Sequence, residues 1–245
     1  MKRQKNTRNT KVEIPKDNPK KEVWNQSNGY LSFKLTDSQL DLADKIEANT
    51  LTFVEGSAGT GKSLTVLHTF VKEYLKDKTK QIIVVRTPVE AGMDKIGALP
   101  NDYFAKIEPH FDSTKRLLEQ LLSKGKVEAD MNHRLHFKIP NYAIGSTFDN
   151  ALVMVDEVQQ LSPMILKLIL ERTGQNSKVV VIGDNTQLYA DNRNLRNALK
   201  DALPRFFKGY PESPYPKFAD IAYHKFTVED VMRSDIVKSV ITAYS

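Results

Sequence analysis

The sequence predicts an α/β domain built on a mostly parallel sheet flanked by helices, and three observations carry that reading. Short apolar runs at 51–54, 82–85, 152–155 and 179–182 have the length and composition of strands buried on both faces. Helical stretches at 63–76, 114–123 and 163–172 lie between them, and such alternation builds parallel crossovers. Several runs end in glycines or charged residues, at the carboxyl edge where an open parallel sheet binds its ligands.

Before the first run, the chain up to Glu22 carries eight lysines and arginines against three acids, few apolar residues, and the prolines Pro15 and Pro19. Such a segment cannot bury enough surface to offset its own ordering entropy. Residues 1–29 are therefore expected to form a disordered basic arm, either a solubilising tail or a contact for nucleic acid phosphates. Residues 30–245 are expected to form one folded domain. Thr36, followed three residues later by Gln39, has capping-box spacing and opens a helix whose apolar side would run through Leu40, Ala43 and Ile46.

The first apolar run leads directly into Gly56-Ser57-Ala58-Gly59-Thr60-Gly61-Lys62-Ser63, and a helix follows at once. In that context the segment is a Walker A loop. Its glycines let the backbone curl into a nest of N–H donors, Lys62 reaches the β and γ phosphates, and the Ser63 hydroxyl is a ligand for Mg²⁺. The helix behind presents its positive end to the same anion.

The second run ends in Arg86-Thr87-Pro88, whose arginine would join the site or touch a nucleic acid backbone. The third ends in Asp156-Glu157, a Walker B pattern in which Asp156 would hold the Mg²⁺ shell and Glu157 would orient and deprotonate the attacking water. The fourth ends in Gly183-Asp184-Asn185-Thr186-Gln187, and Gln187 would sense the γ phosphate or the water. Pro211, Pro214 and Pro216 mark the segment 210–217 as a loop.

Composition narrows the class. With 40% hydrophobic residues in 245, the chain fills one core. The absence of cysteine excludes disulfides and cysteine-based metal or nucleophile chemistry. Most of the net charge of +6 belongs to the basic arm. No apolar run approaches the roughly 20 residues of a membrane span, and no signal-peptide segment opens the chain, so a cytoplasmic protein is expected. His133 and His136 lack a nearby third ligand and read as surface histidines.

Together these residues resemble the PhoH family of P-loop ATPases. The carrying segments are GSAGTGKS at 56–63, RTPVEAGMDKIGALP at 86–100, DEVQQLSP at 156–163, GDNTQL at 183–188 and EDVMRSDIV at 229–237. The resemblance runs from about Leu35 to the end and leaves the arm outside. It implies a RecA/helicase-like P-loop fold, similar to the motor core of superfamily 1 helicases, with ATP and Mg²⁺ as cofactors and Gln39 as an adenine contact. Arg233 matches the family's late arginine. The chain departs from the family pattern at Ile144 and Ser146, where arginine is usual beside the glycine, and at Ser234 and Asp235 after Arg233.

One P-loop core cannot by itself change the distance between two nucleic acid contacts. Either the chain assembles head to tail as a closed homo-oligomer, expected to be a hexameric ring acting on RNA or single-stranded DNA in which Arg233 of one subunit completes the neighbour's site, or it is an ATPase coupled to something else. Arg86 and Arg193 stand behind Arg233 as candidates. The alternatives are a non-motor nucleotide switch or a small-molecule kinase, and Glu157 beside Asp156 favours hydrolysis over the latter. A GTPase is excluded by the lack of an Asn-Lys-x-Asp segment.

Overall fold

The computed structural model describes residues 23–25, 30–87, 103–185 and 197–244. In chain order the elements are β1 (Val23–Asn25), β2 (Tyr30–Ser32), α1 (Asp37–Ala48), β3 (Leu51–Glu55), α2 (Lys62–Lys76), β4 (Gln81–Arg86), α3 (Tyr103–Leu122), α4 (Lys124–Asp130) and β5 (Leu135–Lys138). There follow α5 (Pro140–Ala143), β6 (Ala151–Asp156), α6 (Pro163–Leu170), β7 (Lys178–Gly183), α7 (Ala198–Phe206), β8 (Phe207–Lys208), β9 (Tyr215–Pro216), β10 (Ile221–Lys225) and α8 (Asp235–Tyr244).

The central sheet has the order β10-β3-β7-β6-β4-β5, and every neighbouring pair is parallel. Its four inner strands are the four apolar runs of the sequence. Because side chains alternate along a strand, each run feeds two cores. Val54, Ile82, Val84, Leu152, Met154, Val180 and Ile182 pack toward Leu42, Leu67, Phe70, Leu118 and Leu121 of α1, α2 and α3. Phe53, Ile83, Val85, Val153, Val155, Val179 and Val181 pack toward Leu166, Ile169, Leu199 and Leu203 of α6 and α7.

The α2 helix, which follows the Walker A loop, is anchored at its far end. Arg134 donates to the carbonyls of Tyr74 at 2.8 Å, Asp77 at 2.8 Å and Lys80 at 3.0 Å, and its guanidinium lies 3.8 Å from the Tyr74 ring centre. A cation on the last carbonyls complements the negative end of the helix. The Tyr74 hydroxyl donates to Asp130.

Some elements differ from the sequence reading. In α1 the buried side runs through Gln39, Leu42, Ala43 and Ile46, whereas Leu40 is 48% exposed. Gln39 is drawn inward by the Walker A loop, and one residue further along a helix points about 100° away. The outer strands β5 and β10 join the sheet although neither has an apolar run. The loop 210–217 includes β9, which pairs with β8. Val23–Asn25, within the span read as arm, pairs antiparallel with Tyr30–Ser32. Among the described residues no helix is long and apolar enough to cross a membrane.

Candidate functional site

The site forms at the carboxyl ends of β3, β7, β6 and β4. β3 delivers the chain into the Walker A loop, whose tight curl depends on Gly59 and Gly61 at φ of +87° and +83°, a region that side-chain-bearing residues rarely adopt. Thr60 is buried and its hydroxyl donates to the Ser57 carbonyl at 3.0 Å. No side chain caps α2, so the N–H groups of its first turn face the loop without a side-chain acceptor. Gly56 still continues the sheet, its N–H donating to the Gly183 carbonyl at 3.2 Å, Ala58 lies in the loop, and Ser63 stands in the first turn of α2.

Lys62 lies in the loop it belongs to, donating to the carbonyls of Gly56 at 2.5 Å and Ser57 at 2.6 Å. Burial pulls its ammonium below the ordinary lysine range, and the negative charges of Asp184, Asp156 and Glu157 work against that. Acids at the ends of β6 and β7 thus converge electrostatically on the cation that follows β3.

Asp156, the last residue of β6, is 5% exposed; burial pushes its carboxyl up, and the nearby Arg86 guanidinium opposes the shift. Glu157 follows with φ of +55°, a left-handed conformation that turns the chain sharply out of the strand. Its two oxygens are held separately. Oε2 accepts from Gln159 Nε2 at 2.7 Å, and Oε1 lies 3.4 Å from Arg86 Nη2. Arg86 closes β4 in register with Asp156 and also approaches Asp156 Oδ2 at 3.5 Å.

Gln159 was not singled out by sequence reasoning, although it lies in the DEVQQLSP segment. While its amide nitrogen holds Glu157, its carbonyl oxygen accepts from the backbone N–H of Asp184 at 3.1 Å. It therefore bridges the ends of β6 and β7. Glu55 was also missed. As the last residue of β3 it accepts from Tyr223 at 2.6 Å, Tyr210 at 3.2 Å and Asn185 at 3.0 Å. Burial and that carboxylate push the Tyr210 hydroxyl up to about 12 and the Tyr223 hydroxyl further. No local sequence signal marks either network, because Gln159 meets Asp184, and Glu55 meets Asn185, Tyr210 and Tyr223, across distant segments.

Gln39 makes the capping box, accepting from Thr36 N–H at 3.1 Å, and its Nε2 donates to the Thr60 carbonyl at 3.2 Å. A base contact would have to share this side chain with the loop. Gln187 and Arg193, like most of RTPVEAGMDKIGALP, lie outside the described residues.

Arg233, expected to complete a neighbouring subunit's site, lies in this structure beside the Walker A loop of its own chain. The Met232 N–H donates to the Gly59 carbonyl at 3.1 Å, and a Cβ on Gly59 would stand 2.8 Å from Arg233 Cδ. Arg233 therefore lies over the Walker A loop of its own chain. The physical reason is β10, which pairs with β3 and carries the following segment back across the loop.

The family described as PhoH-like protein matches residues 33–245. A PhoH-like protein of Synechocystis sp. is 31% identical over 201 residues, covering 81% of this chain and 58% of that protein. Protein PhoH of Escherichia coli strain K12 is 30% identical over 212 residues, covering 85% and 57%. The chain thus spans less than two thirds of the length of these relatives. Among solved structures, the large terminase of a thermophilic bacteriophage in complex with ADP aligns with a TM-score of 0.49 and 12% identity, over 85% of this chain and 50% of that one.

Proposed function

The chain belongs to the PhoH family, and on that premise we propose that it is a Mg²⁺-dependent ATPase acting on RNA or single-stranded DNA as a ring-shaped homo-oligomer. The observation that carries the hydrolytic part is the convergence of Asp156, Glu157 and Asp184 on Lys62 from two adjacent strand ends. The N–H groups of the Walker A loop and of the first turn of α2 would bind the phosphates, with Lys62 turning from the Gly56 and Ser57 carbonyls toward them.

Asp156 and Ser63 fit a hard divalent cation, since a buried carboxylate whose protonation is favoured by burial is stabilised as an anion by a cation beside it. Bound there, Mg²⁺ would neutralise charge on the transferring phosphoryl group. Glu157 would orient the attacking water and take its proton, held in position by Gln159. Arg233, from its place over Gly59, would stabilise charge on the γ phosphate within the same chain. Gln187, outside the described residues, is assigned the role of sensor of the γ phosphate or the water.

ADP formation with and without Mg²⁺ tests the reading. Lys62→Ala should abolish nucleotide binding, whereas Glu157→Gln should keep binding and lose turnover by about a hundredfold or more. A Glu157→Gln protein hydrolysing at the wild-type rate would leave the chain a nucleotide site without this water-activating base. Nucleotide binding with no ADP formed by the wild type would make it a switch.

A further inference from the structure

Arg86 faces two ways. On one side its guanidinium reaches Asp156 at 3.5 Å and Glu157 at 3.4 Å. On the other it approaches Ser113 Oγ at 3.3 Å and lines an open pocket of about 460 Å³ with Pro109, His110, Asp112, Ser113 and Arg116 of α3. Pro109, Asp112, Ser113 and Arg116 recur at helical spacing, so one face of α3 turns toward the end of β4. Arg86, Arg116 and the Ser113 hydroxyl give the pocket donors for an anion, Asp112 is the one acid in its lining, and Arg86 joins it directly to the water-activating acid.

The approaches of Arg86 to the acids are long for charge-assisted hydrogen bonds, which close to about 2.7–2.9 Å. A phosphate oxyanion in the pocket could offer the guanidinium shorter, paired bonds. We infer that this pocket binds a backbone phosphate of a single nucleic acid strand, and that the bound phosphate draws Arg86 away from Glu157, freeing Oε1 for the attacking water. The strand would then switch on hydrolysis by removing a restraint. This rests on the hydrolytic reading above and adds to it the residue that couples strand to turnover. Arg116, one turn of α3 beyond Asp112, supplies a second cation beyond Arg86, which suits successive phosphates of a strand better than an isolated phosphate ion.

The test measures ADP formation in the wild type, Arg86→Ala, Arg86→Gln and Arg116→Ala, each alone, with an unlabelled oligonucleotide and with inorganic phosphate. In parallel, anisotropy of a labelled oligonucleotide is read across a salt series without nucleotide. Both Arg86 variants should hydrolyse about fivefold faster than wild type without strand, and should gain little when strand is added. Arg116→Ala should keep the strand-free rate, lose most of the stimulation, and lower the slope of log K against log salt by about 0.7. Stimulation by the oligonucleotide alone assigns the pocket to a strand, whereas equal stimulation by inorganic phosphate would overturn that assignment. Strand-free rates of both Arg86 variants at or below a measurable wild-type rate would overturn the restraint while leaving hydrolysis intact. An unchanged slope and unchanged stimulation in Arg116→Ala would overturn the pocket. No ADP from any form would bring down the hydrolytic reading and the coupling with it.

Discussion

Gln159 commits both ends of one amide to parts of the site that the sequence keeps apart, Glu157 and the backbone of Asp184. An interaction that aims a general base contributes to the transition state more than to substrate binding. Gln159→Leu, close in volume, is therefore expected to lower kcat about tenfold with KM nearly unchanged, measured by initial rates of ADP formation. His68 supplies a different kind of test. It is 3% exposed on α2, and burial, with the charge of Lys72, presses its imidazole down to about 4. The unfolded chain takes up this proton near 6.5, so the stability conferred by the neutral ring is complete above that pH and is lost as the pH falls toward 4. Urea unfolding should show the wild type losing about 2 kcal/mol more than His68→Leu between pH 7 and pH 5. Equal losses would place the shift elsewhere.

Between residues and fold stand the strand ends, and Gly183 at the close of β7 shows how tightly they are fitted. A Cβ there would stand 2.7 Å from Leu199 Cδ2 and 2.9 Å from Gln159 Oε1. Gly183→Ala should therefore push Gln159 off the Asp184 N–H and destabilise the fold by about 1–3 kcal/mol, read by thermal or urea unfolding. The strand β10 makes a separate prediction. Because it returns Arg233 to its own Walker A loop, a mixture of inactive Arg233→Ala and inactive Lys62→Ala should regain no ADP formation, in mixed oligomers verified by mass. Recovery would move the arginine back between subunits. These cases also mark how far the sequence could be read. The inner strands, the Walker A loop and the Asp156-Glu157 pair were legible because each is a contiguous pattern with a local physical cause. β5 and β10 were not, since edge strands are half-solvated and mix His136, Lys138, Tyr223 and Lys225 among their apolar residues. Leu40 misled because amphipathic spacing cannot tell which of two adjacent residues a neighbouring loop will draw in. Gln159, Glu55 and the position of Arg233 depend on contacts between distant segments, which no window of sequence contains.

At the scale of the whole molecule, charge and assembly are separable. If the lysines and arginines up to Lys21 touch phosphates, deleting residues 1–22 should lower the salt slope of single-strand binding by about 0.7 for each phosphate no longer neutralised, with ATP hydrolysis without strand unchanged. An unchanged slope would leave the arm as a solubiliser. Assembly is read by native mass with and without a nucleotide analogue, and a monomer under both conditions would end the ring proposal. The sheet order has one more consequence. β3 and β10 are neighbours in space, yet in synthesis the second emerges long after the first. A growing polypeptide that has passed Ser63 holds every residue of the Walker A loop, but neither the strand that flanks it nor the arginine that lies over it. The phosphate cradle is thus closed by residues the ribosome adds long after the loop itself, and a chain stopped between the two would carry the whole signature of a nucleotide site without its outer wall.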